Sequence, residues 1–332
     1  MSDPSGASGI ELGWWLSSEE HDPRRLVDLG VRAEHAGLGV AMISDHLQPW
    51  TRHQGQSPHV WTVLGALARE TESLRLGTGV TAMVHRNDPI DVAHAAATVA
   101  IMSENRFFLG VGTGERLNEQ PFGRRWPASS ERRDRMAEAI EVIRRLWAGD
   151  VVNHRGTYWN VEGLRLATRP AVPPPIHVAA TGRLSATVAG ESADGLIGVT
   201  ADQKIVEVFR GTGGEGKPCT AQLHVSLAAT ADDAFANAWE WWPNAVVPPP
   251  LLGELARPEH FEATSQAVGP ADIERTVTCA TDAGPIVAAI DRLVGAGFGT
   301  VLLHQVGPDQ DRLLRLCETE LLPHYAAVSA RT

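Results

Sequence analysis

Ser44-Asp45-His46 is followed by Trp50, so a carboxylate, an imidazole and an indole share one short stretch. That set suits proton transfer beside an aromatic wall, with His46 as general base and Asp45 orienting its ring. A loop histidine bonded only to backbone would leave the same trace. A second constellation is Gly110-x-Gly112-x-Gly114-Glu115, with Asn118-Glu119 one turn on. Small residues let a planar ligand approach the backbone, and a half-buried carboxyl can hand over a proton. A glutamate stabilised at a helix start is the plainer reading. The spacing lacks the Gly-x-Gly-x-x-Gly of a dinucleotide site. Third, Gly182 and Arg183 precede a helix expected from about Ser185; free N–H groups and a guanidinium there suit an anion seat, and a plain βα turn with a surface arginine would leave the same trace. His46, His53 and His59 lack the pairings of a zinc site, so no metal is expected. Gly211 and Gly216-Lys217 begin a phosphate-loop pattern, but Pro218 stands where Ser or Thr must bind magnesium, and we read a turn.

These residues need a scaffold that gathers loop ends at one rim. Short apolar runs alternate with amphipathic stretches: Glu11–Leu16, Val40–Asp45, Leu74–Val80, Phe107–Gly112, Ile176–Ala180, Leu196–Val199, Ala221–Val225 and Thr300–His304 read as strands. Asp22-Pro23 caps a helix that Gly37 stops. Helices are also expected over 59–71, 89–103 and 132–147, the last ended by Gly149. Val151–Leu166 reads as a hairpin, and Trp239–Val268 as an irregular, Pro-rich insertion. Eight strands each followed by a helix or an excursion predict an α/β fold, a (β/α)8 TIM barrel. An open doubly wound sheet is the alternative. The expected organisation is a flexible 1–9 segment and a single barrel domain over 10–332, with insertions near 151–170 and 239–275. Trp14 and Trp15 alternate, so only one faces the barrel interior.

Composition narrows the class. Twenty-nine basic and 40 acidic residues give a net charge of −11, which argues against a broad nucleic-acid surface. No apolar run approaches a membrane span, and no charged leader opens the chain. Three widely spaced cysteines suggest a reduced, cytoplasmic protein.

The strings Ser44-Asp-His-Leu-Gln-Pro-Trp50-Thr-Arg-His-Gln-Gly-Gln-Ser-Pro58 and Phe108-Leu-Gly-Val-Gly-Thr-Gly-Glu115-Arg-Leu-Asn118-Glu119 resemble the F420-dependent glucose-6-phosphate dehydrogenase group of the luciferase-like flavin/deazaflavin oxidoreductases. Gly213-Gly-Glu-Gly-Lys-Pro218 and His304-Gln-Val-Gly307 resemble a sister group suspected of using an ordinary flavin. The resemblance implies a barrel with insertions, usually a homodimer, transferring hydride between coenzyme F420 and an alcohol or carbonyl compound, with a sugar or sugar phosphate among the candidates. It implies catalytic roles for His46 (base or stabiliser), Trp50 and Glu115. It implies cofactor contacts at Asp45, Gly79, Val80, Thr113, Gly114, Asn118, Thr181, Gly182 and Arg183, the Gly79–Val80 peptide often being cis. It implies substrate contacts at Glu19, Lys204 and Arg275. The family's second phosphate-seat lysine has no counterpart near Glu262-Ala263. FMN in place of F420, a non-catalytic flavin-binding protein and a hydrolase using Glu115 and Asp45 are the alternatives.

Overall fold

A computed structural model of the protein describes residues 9–329; positions 1–8 of the segment expected to be flexible lie outside the described residues. Eight strands close a parallel barrel: β1 (Glu11–Leu16), β2 (Val40–Ile43), β3 (Arg75–Thr78), β4 (Phe107–Gly112), β5 (Ile176–Ala179), β6 (Gly195–Gly198), β7 (Cys219–Leu227) and β8 (Thr300–Gln305). Each pairs with the next in this order, and β8 pairs back onto β1 through Glu11↔Thr300 and Trp14↔Leu303. These are the eight runs expected, so the open-sheet alternative falls.

Alternation along each strand sorts side chains between two cores. Trp14, Leu16, Ala41, Ile43, Leu109 and Val111 face the surrounding helices. Trp15, Val40, Met42, Phe108, Ile197 and Leu302 fill the lumen, so the barrel is plugged below its mouth. His177 tilts against Phe108 with ring centres 4.7 Å apart, and burial lowers its imidazole to about 4, leaving it neutral. Gly110 belongs to this tight layer. Its N–H donates to Thr78 Oγ1, and a Cβ there would overlap the Thr78 carbonyl oxygen. Backbone cannot swing aside as a side chain can. Gly110→Ala is therefore expected to lower the urea midpoint by a stability loss of about 1–3 kcal/mol or more.

Local signals account for the helix ends. Asp22 accepts hydrogen bonds from the amides of Arg24 and Arg25, starting the helix Pro23–His35. Gly37 at φ 90° and Gly149 at φ 93° turn the chain out of their helices. Strands Val152–Arg155 and Asn160–Leu164 form the expected hairpin.

Two features differ from the sequence reading. The segment read as irregular over 239–268 contains the end of helix Ala231–Trp241 and a helix, Pro258–Val268. Its apolar positions pack on a loop rather than on the barrel, so no regular stripe marks it. A short strand, Thr278–Ala280, extends the sheet beside the end of β7. Three residues are too few to show a period. Among the described residues no helix is long and apolar enough to cross a membrane.

Candidate active site

Loops leaving β1, β2 and β4 bring Glu19, His46 and Glu115 together. His46 is 8 % exposed; its Nε2 lies 3.2 Å from Glu115 and 3.5 Å from Glu19. Its Nδ1–H donates to the Gln48 carbonyl at 3.2 Å, so Nε2 is the atom that gains or loses a proton. Burial alone would lower this imidazole. The Glu19 and Glu115 carboxylates more than reverse that and raise it to about 9. At neutral pH His46 is an imidazolium between two carboxylates. In that form the ring is a charged donor, the stabiliser of the two roles expected of it, and it serves as a base only once Nε2 has lost its proton.

Trp50 stands over this group, its ring centre 4.6 Å from that of His46. The edge of Phe261, from the insertion helix, packs on Trp50 at 5.1 Å. Gln54 fixes the loop by accepting from the amides of Trp50 and Thr51 and donating to Trp241 and Asn244.

Several expected residues have protein partners of their own. Glu19, expected at the substrate mouth, is 1 % exposed. Its Oε2 accepts from the hydroxyls of Ser17 and Ser44, and its Oε1 lies 3.5 Å from His46 Nε2. Asp45 does not orient His46. Thr81 donates to one of its oxygens at 2.7 Å, and Arg86 pairs with the other at 2.8 Å. Asn118 accepts from the amides of Leu47 and Gln48 and donates to Glu115 at 3.2 Å; it ties the loops after β2 and β4 together. Lys204 and Arg275 are exposed, and Arg275 pairs with Asp272 on its own turn. Among the described residues neither bonds to the His46 cluster. Lys217 donates to the carbonyls of Gly190 and Ala193 at a helix end, so the phosphate-loop look-alike serves the fold.

Arg86, Glu119 and Gln54 were not anticipated as site residues. Glu119 accepts from the amides of His85 and Arg86 and holds their loop; burial raises its carboxyl, and these amides offset part of the rise. Gln54 and Glu119 lie inside the quoted strings without a mark of their role, and Arg86 lies outside them.

The remaining expected positions lie in the segments that follow β3, β4 and β5. The Gly79–Val80 peptide is cis. A Cβ on Gly79 would overlap the Trp15 ring, and one on Gly112 would meet Val80 at 2.6 Å, so both positions are packed too closely for a side chain. Thr113 is half-buried. Gly114 has φ 76°, and a Cβ there would lie 3.1 Å from both Ala82 and Val84. Farther along the rim, Thr181, Gly182 and Arg183 are exposed. Gly182 starts the helix Arg183–Ser192 without a side-chain cap, and open space surrounds it. A phosphate fits those uncapped amides. The donor set thus suits a ring with a phosphorylated arm.

At the insertion, Glu262 grips Arg52 with contacts of 2.6 and 3.1 Å and also accepts from its amide. A groove of about 570 Å³ beside this pair is lined by Gln48, Arg52, Arg257 and Glu259, among others. Within it Arg52 is paired with Glu262 and, at 4.0 Å, with Glu259, while Arg257 is exposed.

The sequence pattern of the luciferase-like monooxygenase family matches residues 8–300. An F420-dependent glucose-6-phosphate dehydrogenase of Microbacterium testaceum is 34% identical, covering 95% of this chain and 97% of that protein. An F420-dependent hydroxymycolic acid dehydrogenase of Mycobacterium tuberculosis is 36% identical, covering 94% and 87%. A solved F420-dependent secondary alcohol dehydrogenase, in complex with an F420-acetone adduct, superposes with a TM-score of 0.87 at 26% identity, covering 93% and 97%. With its closed barrel and a match over most of its length, the chain belongs to the luciferase-like monooxygenase family.

Proposed function

We infer that this protein is an F420-dependent oxidoreductase that moves a hydride between the deazaflavin and an alcohol or carbonyl substrate. The observation that carries the reading is the His46–Trp50–Glu115 cluster in a barrel that also carries the cis Gly79–Val80 peptide, in a chain 34–36% identical to F420-dependent dehydrogenases. The deazaflavin supplies the hydride-accepting or hydride-donating carbon. Gly79, Val80, Thr113 and Gly114 back its ring, and Thr181, Gly182 and Arg183 hold its phosphate. Asp45 borders the ring from the Arg86 side. The His46 imidazolium donates from Nε2 to the substrate oxygen and stabilises the charge that grows there. Trp50 shields that oxygen from water, and Glu115, 3.2 Å from His46, would hold or release a proton beside a bound ring.

The substrate is read as a small molecule without a required phosphate. Lys204 and Arg275 stand apart on the surface, and Glu262 occupies the guanidinium of Arg52. We further propose a cytoplasmic homodimer built from one barrel domain over 10–332, with insertions near 151–170 and 239–275. The three free cysteines and the family resemblance support that reading.

Titration with F420 and with FMN tests the cofactor. Micromolar F420 binding with quenched fluorescence supports it; FMN binding without F420 affinity overturns it. Arg183→Ala is expected to weaken F420 binding about tenfold, through loss of a charge-assisted hydrogen bond, and to leave the fold of the cofactor-free protein unchanged by circular dichroism. Free and phosphorylated sugars are expected to react at rates within a few-fold of each other. A strong preference for the phosphorylated form would contradict the seat described here.

A further inference from the structure

The dipeptide Glu19–Glu20 sends its carboxylates to opposite sides of the mouth. Glu19 meets His46. Glu20, buried, accepts from the Gly307 amide at 2.7 Å and from Nε2 of His304 at 2.6 Å. His304 Nδ1 lies 2.8 Å from His224 Nδ1, and the two histidines are register partners on β8 and β7. A carboxylate that accepts on both oxygens fixes the tautomers. His304 carries its proton on Nε2, its Nδ1 accepts from His224 Nδ1–H, and His224 Nε2 is left as a lone pair. That atom has no partner among the described residues and is not sealed from solvent. Trp242 covers both imidazoles, with ring centres 4.5 and 5.4 Å away, and shares one apolar cluster with Trp50. The chain of hydrogen bonds therefore ends in a free acceptor beneath Trp242, whose apolar cluster also holds the Trp50 that stands over His46.

We propose that Glu20, His304 and His224 form a proton relay whose open end, His224 Nε2, takes the hydroxyl proton during alcohol oxidation and returns it during carbonyl reduction. The proposal rests on the alcohol/carbonyl reading above and adds the base that an imidazolium at His46 is not. As the carbinol C–H bond breaks and its electron pair leaves as hydride to the deazaflavin oxidant, the O–H bond breaks and its proton bonds to His224 Nε2. The Nδ1 proton of His224 passes to His304 Nδ1, and the Nε2 proton of His304 passes to Glu20. The carbonyl forms, the two electrons reside in the reduced cofactor, and the net proton rests on Glu20. Both imidazoles end neutral with their tautomers reversed.

This route avoids an imidazolium where one is costly. Burial lowers His304 to about 3 and His224 well below its ordinary value. Burial pushes Glu20 up to about 7, partly offset by His21 and by the hydrogen bonds it accepts, so the proton's resting place is balanced near neutrality. Glu20 faces Ser17, Glu19 and His21 from its own segment and Gly307 and His304 from the β8 side; His224 faces His304 and Trp242.

The test uses the full chain, F420 and secondary alcohols from propan-2-ol to octan-2-ol. Glu20→Gln keeps the shape but donates to His304, which reverses both tautomers and turns His224 Nε2 into a donor. Alcohol oxidation is expected to fall about 10²-fold, with KM and F420 affinity changed less than about threefold, and the rise in rate through about pH 7 is expected to vanish. His224→Gln, at a partly exposed position, is expected to give the same loss and stands as the test should Glu20→Gln fail to fold. In the cofactor-free protein, an infrared carboxyl band that Glu20→Gln removes is expected to titrate near 7. Wild-type turnover and pH profile in both variants would overturn the relay. A parent that binds F420 but oxidises none of these alcohols would overturn the relay and leave the cofactor reading standing, whereas a parent that does not bind F420 would overturn that reading instead.

Discussion

His46→Ala is expected to cut F420-linked turnover by about 10²–10³-fold while changing F420 affinity less than about threefold. Charge is the reason. His46 is enclosed by Glu19 and Glu115 and held protonated up to about pH 9. A fixed cation 3.2 Å from a carboxylate, under an indole, is preorganised to stabilise an oxygen gaining negative charge. Losing it removes a stabilisation made mainly in the transition state, so kcat falls and binding of the flat cofactor does not. The imidazolium is present below about 9 and disappears as pH rises through that value, so turnover in both directions falls on the alkaline side. The same group contributes to stability in the same sense. Folding favours its protonated form, a contribution complete below the ordinary value of 6.5 and lost as pH rises through about 9. Steady-state kinetics from pH 6 to 10 on both proteins check this; a His46→Ala enzyme within threefold of wild type would remove His46 from the chemistry.

The second large effect is expected at Glu115. Glu115→Gln removes one of the two carboxylates that hold His46 charged, and it removes the side chain read as exchanging the cofactor-ring proton. Turnover at pH 7 is expected to fall about 10²-fold, and the alkaline limb to move from about 9 toward 6.5. Glu19→Gln separates the two roles. Glu19 is buried behind His46, held by Ser17 and Ser44, and a glutamine retains those hydrogen bonds. Its variant is expected to shift the alkaline limb in the same direction while losing far less turnover at pH 6. Equal losses in the two variants at pH 6 would show that Glu115 acts only through the charge of His46.

Residues that announce themselves in the sequence sit at strand ends. His46, Trp50 and Glu115 follow apolar runs closely, and a barrel gathers such positions at one rim. The strands are legible because their runs are continuous and bounded by turns, as in Phe107–Gly112. Helix starts are legible where a cap is written locally, as at Asp22-Pro23. What is not legible depends on distant parts of the chain. Glu20 and His304 are 284 residues apart and meet only because β8 closes on β1. By sequence Asp45 is a natural partner for His46, but Arg86 and Thr81, brought in by the loop after β3, outcompete that contact. Asn118 carries no mark showing that its side chain bridges two loops. The helix Pro258–Val268 has no usual stripe because Phe261 packs on Trp50 and Ser265 donates to the Pro243 carbonyl, outside the barrel core.

Where a deazaflavin ring lies decides between these roles and any other arrangement. A crystal structure with F420 bound is the direct measurement. The ring is expected to lie against Gly79–Val80 with its reacting face toward His46, Trp50 and Glu115, and the phosphate at the amides of Gly182 and Arg183. F420 bound away from that peptide, or a mouth into which the ring does not enter, would contradict it.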